Sequence, residues 1–400
     1  MLENTIESWK KNLTALCVSQ FFYRAGTRAL IPFLPLFIQD LGKTSAELTA
    51  VWSGWIFAAP FIVSFFTTPL WGSFGDKYGR KLMTLIAVFG FAFSQLLMGF
   101  SVSLVQLLIF SALQESFGGF YPAAVSLTAS NTPKEKTAHA LGMLQFANGS
   151  GNVIGPLLGG LIADQFGYRE AFYLISIIAV FSGLIIFLFI DEKNYTKEKH
   201  NYHSLLKNFK YVTKSRVLIS CVFFLLLYSI AVTVVRPTFV LFINSFQFTA
   251  NNPATITGIL LALFGITSAI SSALIGRLEK KINIRFILIT ASIFIAVTYI
   301  MIAVVNSMYS LAIVLALCGF GLGIILPSVF TLISNSTDSE RKAGIFGISS
   351  SFQLVGNQAG SVSAGYFLSS LGLRFPFIAA GVLFFLSIPI TVFGLKNTEH

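Results

Sequence analysis

Four ionisable side chains lie deep inside long apolar segments of this 400-residue chain. Arg24 and Arg28 stand one helical turn apart in the first segment, and Arg236 directly precedes Pro237 in a later one. Of the sixteen acidic residues, Glu115 alone falls deep inside such a segment. Ionisable groups are costly to bury in apolar spans, so they are functional candidates by default. A guanidinium group can clamp a carboxylate through two parallel hydrogen bonds, and a buried carboxyl group can exchange a proton near neutral pH.

The charges of these four residues do not balance. Three arginines against one glutamate would leave about two positive charges unpaired in a low-dielectric environment, which is costly. For any single arginine, a structural pair with Glu115 or with carbonyl groups freed by a nearby proline is an equally good interpretation. We therefore predict a cavity that favours negatively charged or carboxylate-bearing ligands. Glu115 is the predicted proton carrier, and a fixed ion pair is the alternative.

Polar and aromatic residues near these charges complete the predicted binding site. Each of them could instead serve helix packing. The candidate substrate-binding residues are Arg24, Arg28, Arg236, Gln20, Tyr23, Tyr121, Asn148, Asn152, Gln353 and Asn357. Asp40 and Asp164 lie at the ends of apolar segments, where solvation accounts for them. The three cysteines are isolated and zinc-type spacing is absent, so we expect neither a metal nor a cofactor.

Twelve apolar segments have to position these residues. A bilayer core of ~30 Å requires roughly 20 apolar residues per helix. With 55% hydrophobic and 11% charged residues, the chain is too apolar for a soluble globular protein. The predicted spans are 13–38, 51–71, 82–100, 104–127, 140–163, 170–190, 217–243, 255–276, 286–304, 308–333, 345–368 and 375–394. The runs are continuous rather than alternating, which favours an all-α membrane protein over a barrel.

The positive charges predict the orientation of the chain in the membrane. One alternate set of gaps between spans, with both tails, holds 21 of the 27 Lys and Arg residues, whereas the other set holds Lys43, Arg169 and Arg374. Such an excess is typical of cytoplasmic loops, so both termini are predicted to be cytoplasmic. Basic loops beside anionic lipid explain the net charge of +11, so no nucleic acid is expected as a partner. We expect a monomeric multi-pass protein of the bacterial inner membrane.

The two halves of the chain resemble each other at an offset of 205 residues. Matched pairs include Gly155 with Gly360 and Arg169 with Arg374. We therefore predict an N-terminal six-helix bundle (1–190), a cytoplasmic connector (191–216) and a C-terminal six-helix bundle (217–400). Pseudo-symmetric bundles of this kind place a substrate site at mid-membrane and can rock around it.

Two motifs stand at defined places in this scheme. The loop after span two contains Gly72, Asp76, Gly79, Arg80 and Lys81. Its glycines permit a tight turn, and Asp76 could accept hydrogen bonds from a helix N-terminus or pair with Arg80. The segment therefore predicts a charged gate at the cytoplasmic face.

The second motif is a glycine-rich string within span five. Small residues four apart allow two helices to approach closely, and a proline bends the helix. The string consists of Gly151, Gly155, Pro156, Gly159 and Gly160. Tight packing is its simplest interpretation.

On these motifs, the span count and the duplication, the whole chain resembles the major facilitator superfamily. The loop after span two is similar to that family's signature, and the span-five string is similar to the antiporter signature of its drug:proton antiport branch. The resemblance implies a secondary active transporter, not an enzyme, driven by the proton gradient and working by alternating access. Members of that branch usually carry an arginine in span four, where this chain has Ser111. The usual coupling scheme is therefore open, and Glu115 is a candidate replacement.

Three functions remain in competition at this stage. The first is proton-coupled antiport that exports amphipathic compounds, drug-like or anionic, including a carboxylate siderophore, as in multidrug efflux. The second is proton-coupled uptake of an organic anion or siderophore, favoured by the arginines. The third is a non-transporting membrane receptor, which the short loops disfavour.

Overall fold

The computed structural model describes residues 2–133, 136–190, 192, 205–246, 252–279, 282–338 and 341–394, and these residues contain no strand. They form fifteen α-helices and one short 3₁₀ helix, Ile31–Phe33. The α-helices are α1 (Leu2–Ala29), α2 (Leu34–Gly42), α3 (Ala46–Tyr78), α4 (Arg80–Phe100), α5 (Leu104–Ser116), α6 (Phe120–Asn131), α7 (Thr137–Phe166), α8 (Tyr168–Phe189), α9 (Leu205–Lys214), α10 (Arg216–Asn244), α11 (Pro253–Leu278), α12 (Ile284–Val304), α13 (Met308–Asn335), α14 (Lys342–Leu371) and α15 (Phe375–Gly394).

Each predicted span falls on this helical framework, but two spans are interrupted. The first is broken by the 3₁₀ helix between α1 and α2, where Pro32 lacks a backbone donor. The fourth is broken between α5 and α6, where Gly119 has a φ of 108°. A residue with a side chain rarely adopts that conformation, so the glycine permits the break.

Eight of the described helices are long and apolar enough to cross a membrane by length and composition: α3, α4, α8, α10, α11, α12, α13 and α15. The other predicted spans lie on α1–α2, α5–α6, α7 and α14. Those helices carry the predicted substrate-binding residues and Glu115, with the exception of Arg236 on α10. The polar side chains and glycines that lower the apolarity of these spans are therefore the candidates for function.

The described chain divides into two compact units. The first comprises the described residues of Met1–Phe37, Ala59–Lys199 and Asn252–Ile259, and the second those of Ile38–Ala58, His200–Asn251 and Leu260–His400. In the first unit α1 packs against α7 and α8, and in the second α10 packs against α14 and α15. Helix α3 begins in the second unit, and α11 begins in the first.

Candidate functional site

The first unit brings two of the predicted arginines onto one acceptor. The Nε atoms of Arg24 and Arg28 both donate to Oδ1 of Asn152, at 2.9 and 3.2 Å. Glu115, in the last turn of α5, interacts electrostatically with both guanidinium groups. Two cations, one carboxyl group and one amide therefore form a single cluster, which we call the arginine cluster (Arg24, Arg28, Glu115 and Asn152).

A second polar pair lies one helical turn away. Nε2 of Gln20 donates to Oδ1 of Asn148 at 2.9 Å, and both side chains are buried. Because Gln20 and Arg24 are four residues apart, as are Asn148 and Asn152, α1 and α7 match polar residues turn by turn. Oε1 of Gln20 has no hydrogen-bond partner among the described residues. This oxygen can accept a hydrogen bond from a water molecule or a ligand.

Aromatic rings flank the arginine cluster. Tyr23 stacks on Phe120 with ring centroids 4.3 Å apart, and it meets Phe91 edge-on at 5.3 Å. It also interacts electrostatically with Glu115 and Arg24. The hydroxyl of Tyr121 donates to Gln145, a residue that sequence reasoning did not select. Aromatic rings therefore pack beside the charges, with Phe91 and Phe120 fully buried and Tyr23 half-buried.

The span-five glycines place α7 directly against the arginine helix. A Cβ atom on Gly151 would lie 2.8 Å from the carbonyl oxygen of Phe21 and 2.9 Å from Cβ of Arg24. A Cβ atom on Gly155 would lie 2.5 Å from the carbonyl oxygen of Ala25, and one on Gly159 would clash with Ala29 in the same way. Without side chains at these positions, the backbone of α1 comes close enough for its arginines to reach Asn152.

The same string has a second packing face, toward α11. A Cβ atom on Gly160 would lie 2.4 Å from the carbonyl oxygen of Ala254, and one on Gly258 would lie 2.7 Å from that of Pro156. Near this contact the Asp164 carboxylate accepts hydrogen bonds from two backbone amides of α11. Solvation at a helix end was therefore the wrong interpretation of Asp164, although Asp40 is exposed as expected.

The second unit repeats this construction without the charges. Thr233 donates to Oδ1 of Asn357 at 2.8 Å, and these residues correspond to Arg28 and Asn152 at the offset of 205. A Cβ atom on Gly360 would lie 2.6 Å from the carbonyl oxygen of Ile230, as Gly155 meets Ala25. The duplication thus extends to individual contacts, and the paired arginines are a specialisation of the first half.

The two remaining predicted binding residues belong to the second unit. Arg236 interacts electrostatically with Tyr228 and Tyr299. Gln353 is half-buried on α14. The arginine cluster, by contrast, consists of residues of the first unit.

The loop after span two depends on an acid that sequence reasoning missed. Gly79, with a φ of 94°, separates α3 from α4. The backbone amides of Arg80 and Lys81 donate to the two carboxylate oxygens of Glu192, at 2.8 and 3.1 Å. Glu192 thus caps α4, and its sequence signal was an acid just beyond span six. Gly72 and Asp76 lie within α3, so the predicted turn is confined to Gly79, and the side chain of Asp76 lies outside the described part of the chain.

The chemistry of the arginine cluster is that of charge recognition and proton exchange. Guanidinium groups bind anions, and the carboxyl group can accept or release a proton. Among the described residues, no group of three or more His, Cys, Asp or Glu side chains could hold a metal ion.

Comparison with known proteins supplies the family. The model of the Major Facilitator Superfamily matches residues 16–339 and 249–400. The chain is 32% identical over 382 residues to the multidrug resistance protein MdtG of Salmonella schwarzengrund (strain CVM19633), covering 95% of each chain. In fold it is similar to a bacterial homologue of the human lysosomal transporter Spinster (TM-score 0.81, 14% identity, 96% of each chain). It is also similar to the nucleoside transporter NupG (TM-score 0.80, 11% identity, 96% of this chain and 100% of that one).

These findings confirm the predicted family resemblance and the helical membrane fold. The chain belongs to the major facilitator superfamily, and it is accordingly a multi-pass membrane transporter of small substrates rather than an enzyme.

Proposed function

We propose that the protein is a proton-coupled antiporter that exports amphipathic compounds across the bacterial inner membrane by alternating access. In this proposal both termini are cytoplasmic, the protein works as a monomer and the proton gradient supplies the energy. The identity to a relative named a multidrug resistance protein supports this export function, as does the span-five string. Anionic or carboxylate-bearing compounds, including siderophores, join drug-like ones as candidate substrates because of the arginines.

The observation that carries the proposal is the position of Glu115 beside two arginines that share one neutral acceptor. The arginine cluster has a net charge of about +1 when Glu115 is ionised and about +2 when it is protonated, from formal charges. Proton binding therefore changes what the site attracts. Tyr23, which is half-buried and packs on the buried Phe120, is the candidate ring for contact with an apolar part of the substrate.

The direction of coupling follows from the charge of the substrate. A cationic or neutral ligand that engages Glu115 competes with the proton for that carboxylate, and competition for one site produces exchange in opposite directions. An anion that engages Arg24 and Arg28 binds better when Glu115 is protonated, because the like charge is removed. For an anion bound in this way, proton and anion move together, which is symport. Export of an anion by antiport requires that the anion also displace the proton from Glu115.

Uptake symport of an organic anion is accordingly the second candidate function, and the net positive charge of the arginine cluster is the observation that favours it. A membrane receptor without transport has no comparable support.

The sign of substrate-driven proton flux separates the two candidates. Purified protein would be reconstituted in vesicles that contain a pH-sensitive dye, and a gradient of ethidium (an amphipathic cation) or citrate (a carboxylate anion) would be imposed. Antiport predicts that outward ethidium movement acidifies the lumen. Alkalinisation during outward citrate movement, with no response to ethidium, would replace antiport by symport. The absence of any proton movement with either probe would refute proton coupling for both.

Variants of the arginines test the binding role independently. We expect Arg24→Ala, Arg28→Ala and Arg236→Ala to weaken substrate binding. Arg374→Ala serves as the matched control, because Arg374 is an exposed residue that donates to Asn306. Unchanged affinity in all three test variants would remove these residues from the site.

A further inference from the structure

Asp164 ties the end of α7 to the start of α11. Its carboxylate accepts hydrogen bonds from the backbone amides of Ala254 at 3.3 Å and Thr255 at 2.6 Å. The hydroxyl of Thr255 in turn reaches the carbonyl oxygen of Gly160 at 3.5 Å. All of these residues belong to the first unit, although 90 positions of sequence separate Asp164 from Ala254.

The electrostatics of this contact are favourable. Because α11 begins at Pro253, the amides of Ala254 and Thr255 lie in its first turn and have no acceptor within the helix. The N-terminus of a helix carries a partial positive charge, which a carboxylate neutralises. Hydrogen bonds to an ionised acceptor are also shorter and stronger than neutral ones. Asp164 on α7 thus accepts hydrogen bonds from two backbone amides of α11 that have no acceptor within α11.

The contact is close as well as charged. Neither Gly160 nor Gly258 leaves room for a side chain between α7 and α11. Helix α11 then continues from the first unit into the second at Leu260. The first unit therefore contains the part of α11 from Pro253 to Ile259, and the carboxylate of Asp164 binds the start of this part.

We propose that Asp164 is a gating residue of the transport cycle. Its carboxylate stabilises the conformation in which the end of α7 contacts the start of α11. The hydrogen bonds from Ala254 and Thr255 to this carboxylate have to break before α7 and α11 can separate. The proposed topology places this contact on the outer face, and the α3–α4 junction at Gly79 on the cytoplasmic face. The inference rests on the alternating-access cycle proposed above, but it requires neither a known substrate nor a direction of transport.

Accessibility of a buried thiol tests this role. Ala254 is 0% exposed, so a cysteine at this position is shielded while the contact is closed. Cys17, Cys221 and Cys318 would be replaced by alanine, and Ala254→Cys would be introduced. A membrane-impermeant maleimide applied to intact cells then measures how often the contact opens. Labelling would be compared in the protein with Asp164 unchanged, in Asp164→Asn and Asp164→Ala, and in the matched control Asp40→Asn, which removes an exposed carboxylate.

Loss of hydrogen bonds to a charged acceptor changes an equilibrium constant by about 10-fold or more. We expect labelling at Ala254→Cys to be about 10-fold faster with Asp164→Asn and Asp164→Ala, and unchanged with Asp40→Asn. A labelling rate in Asp164→Asn equal to that in Asp40→Asn would overturn the proposal.

A second thiol separates gating from general unfolding. Ala171, on α8, is also 0% exposed, and Ala171→Cys reports loss of packing elsewhere in the same unit. A gating role predicts that the Asp164 variants leave the labelling of Ala171→Cys slow. Equal acceleration at both thiols would show that Asp164 is merely structural and would overturn the proposal. If wild-type vesicles show no proton flux while the thiol results hold, the coupling proposal fails and the gating role stands.

Discussion

Substitution of Gly155 by alanine should push α7 away from the arginine helix. The added Cβ atom would lie 2.5 Å from the carbonyl oxygen of Ala25 and 3.1 Å from Cβ of Arg28. Ordinary van der Waals contact begins near 3.4 Å, so the two backbones must part by about 0.9 Å. The hydrogen bond from Arg28 to Asn152, already 3.2 Å long, would then exceed the limit for a hydrogen bond.

Two opposing effects of Gly155→Ala determine the change in the free energy of unfolding. Overpacking of a close contact destabilises a protein by about 1–3 kcal/mol. Alanine is favoured over glycine in a helix by about 1 kcal/mol, which offsets part of the cost. We therefore expect Gly155→Ala to lower the free energy of unfolding by about 0–2 kcal/mol. The larger effect should be on substrate affinity, because one arginine loses its fixed position.

Two matched glycines separate packing from function. A Cβ atom on Gly149 would meet nothing within 4 Å, so Gly149→Ala reports helix propensity alone and should raise the midpoint of thermal unfolding slightly. Gly360→Ala produces the same kind of clash in the second unit, 2.6 Å from the carbonyl oxygen of Ile230 and beside Thr233 instead of an arginine.

Thermal unfolding in detergent and the KM for transport would be measured for all three variants. Gly155→Ala and Gly360→Ala should lower the unfolding midpoint similarly, while Gly155→Ala alone raises KM severalfold. An equal increase of KM in Gly360→Ala, or an unchanged KM in Gly155→Ala, would refute the reasoning that these glycines position the arginines.

Two further predictions concern side chains that join helices. Asn152→Ala removes the acceptor shared by two guanidinium groups, so it should lower the free energy of unfolding by about 1.5–3 kcal/mol and weaken substrate binding. Asn357→Ala removes the acceptor of the Thr233 hydroxyl only, so it should lower the free energy of unfolding by about 0.5–1.5 kcal/mol and leave substrate binding intact. Equal substrate affinity of the two variants would contradict this prediction. Glu192→Gln weakens the cap of α4 and should lower the free energy of unfolding by about 0.3–1 kcal/mol at low salt. The control Asp40→Asn removes an exposed carboxylate from the last turn of α2, where a negative charge does not stabilise the helix, and should cause no loss of stability. An undiminished effect of Glu192→Gln at high salt would rule out the electrostatic cause.

The sequence predicted those features of the site that depend on helical spacing. Gln20 and Arg24 on one helix, and Asn148 and Asn152 on another, each follow a period of four, so their faces could be inferred before their partners were known. The small residues at Gly151, Gly155 and Gly159 likewise indicated a close helix contact. Spacing did not reveal which helix each glycine would meet, because that depends on packing between distant segments.

The contacts that could not be predicted involve backbone groups. Asp164 pairs with the amides of Ala254 and Thr255, and every residue except proline carries such an amide, so the sequence contains no signal for the partner. The same is true of Glu192 at the start of α4. Hydropathy indicated the extent of span four but not its break at Gly119, since an apolar run is compatible with either a continuous or an interrupted helix.

Proton flux through the Glu115→Gln variant is the most direct test of the coupling mechanism. Reconstituted wild-type protein should move protons when a substrate gradient is imposed, and Glu115→Gln should still bind and exchange substrate while moving no protons. Glutamine keeps the size and polarity of the side chain but cannot carry a proton at neutral pH. Substrate-driven proton movement of undiminished rate in Glu115→Gln would show that the proton travels by another group.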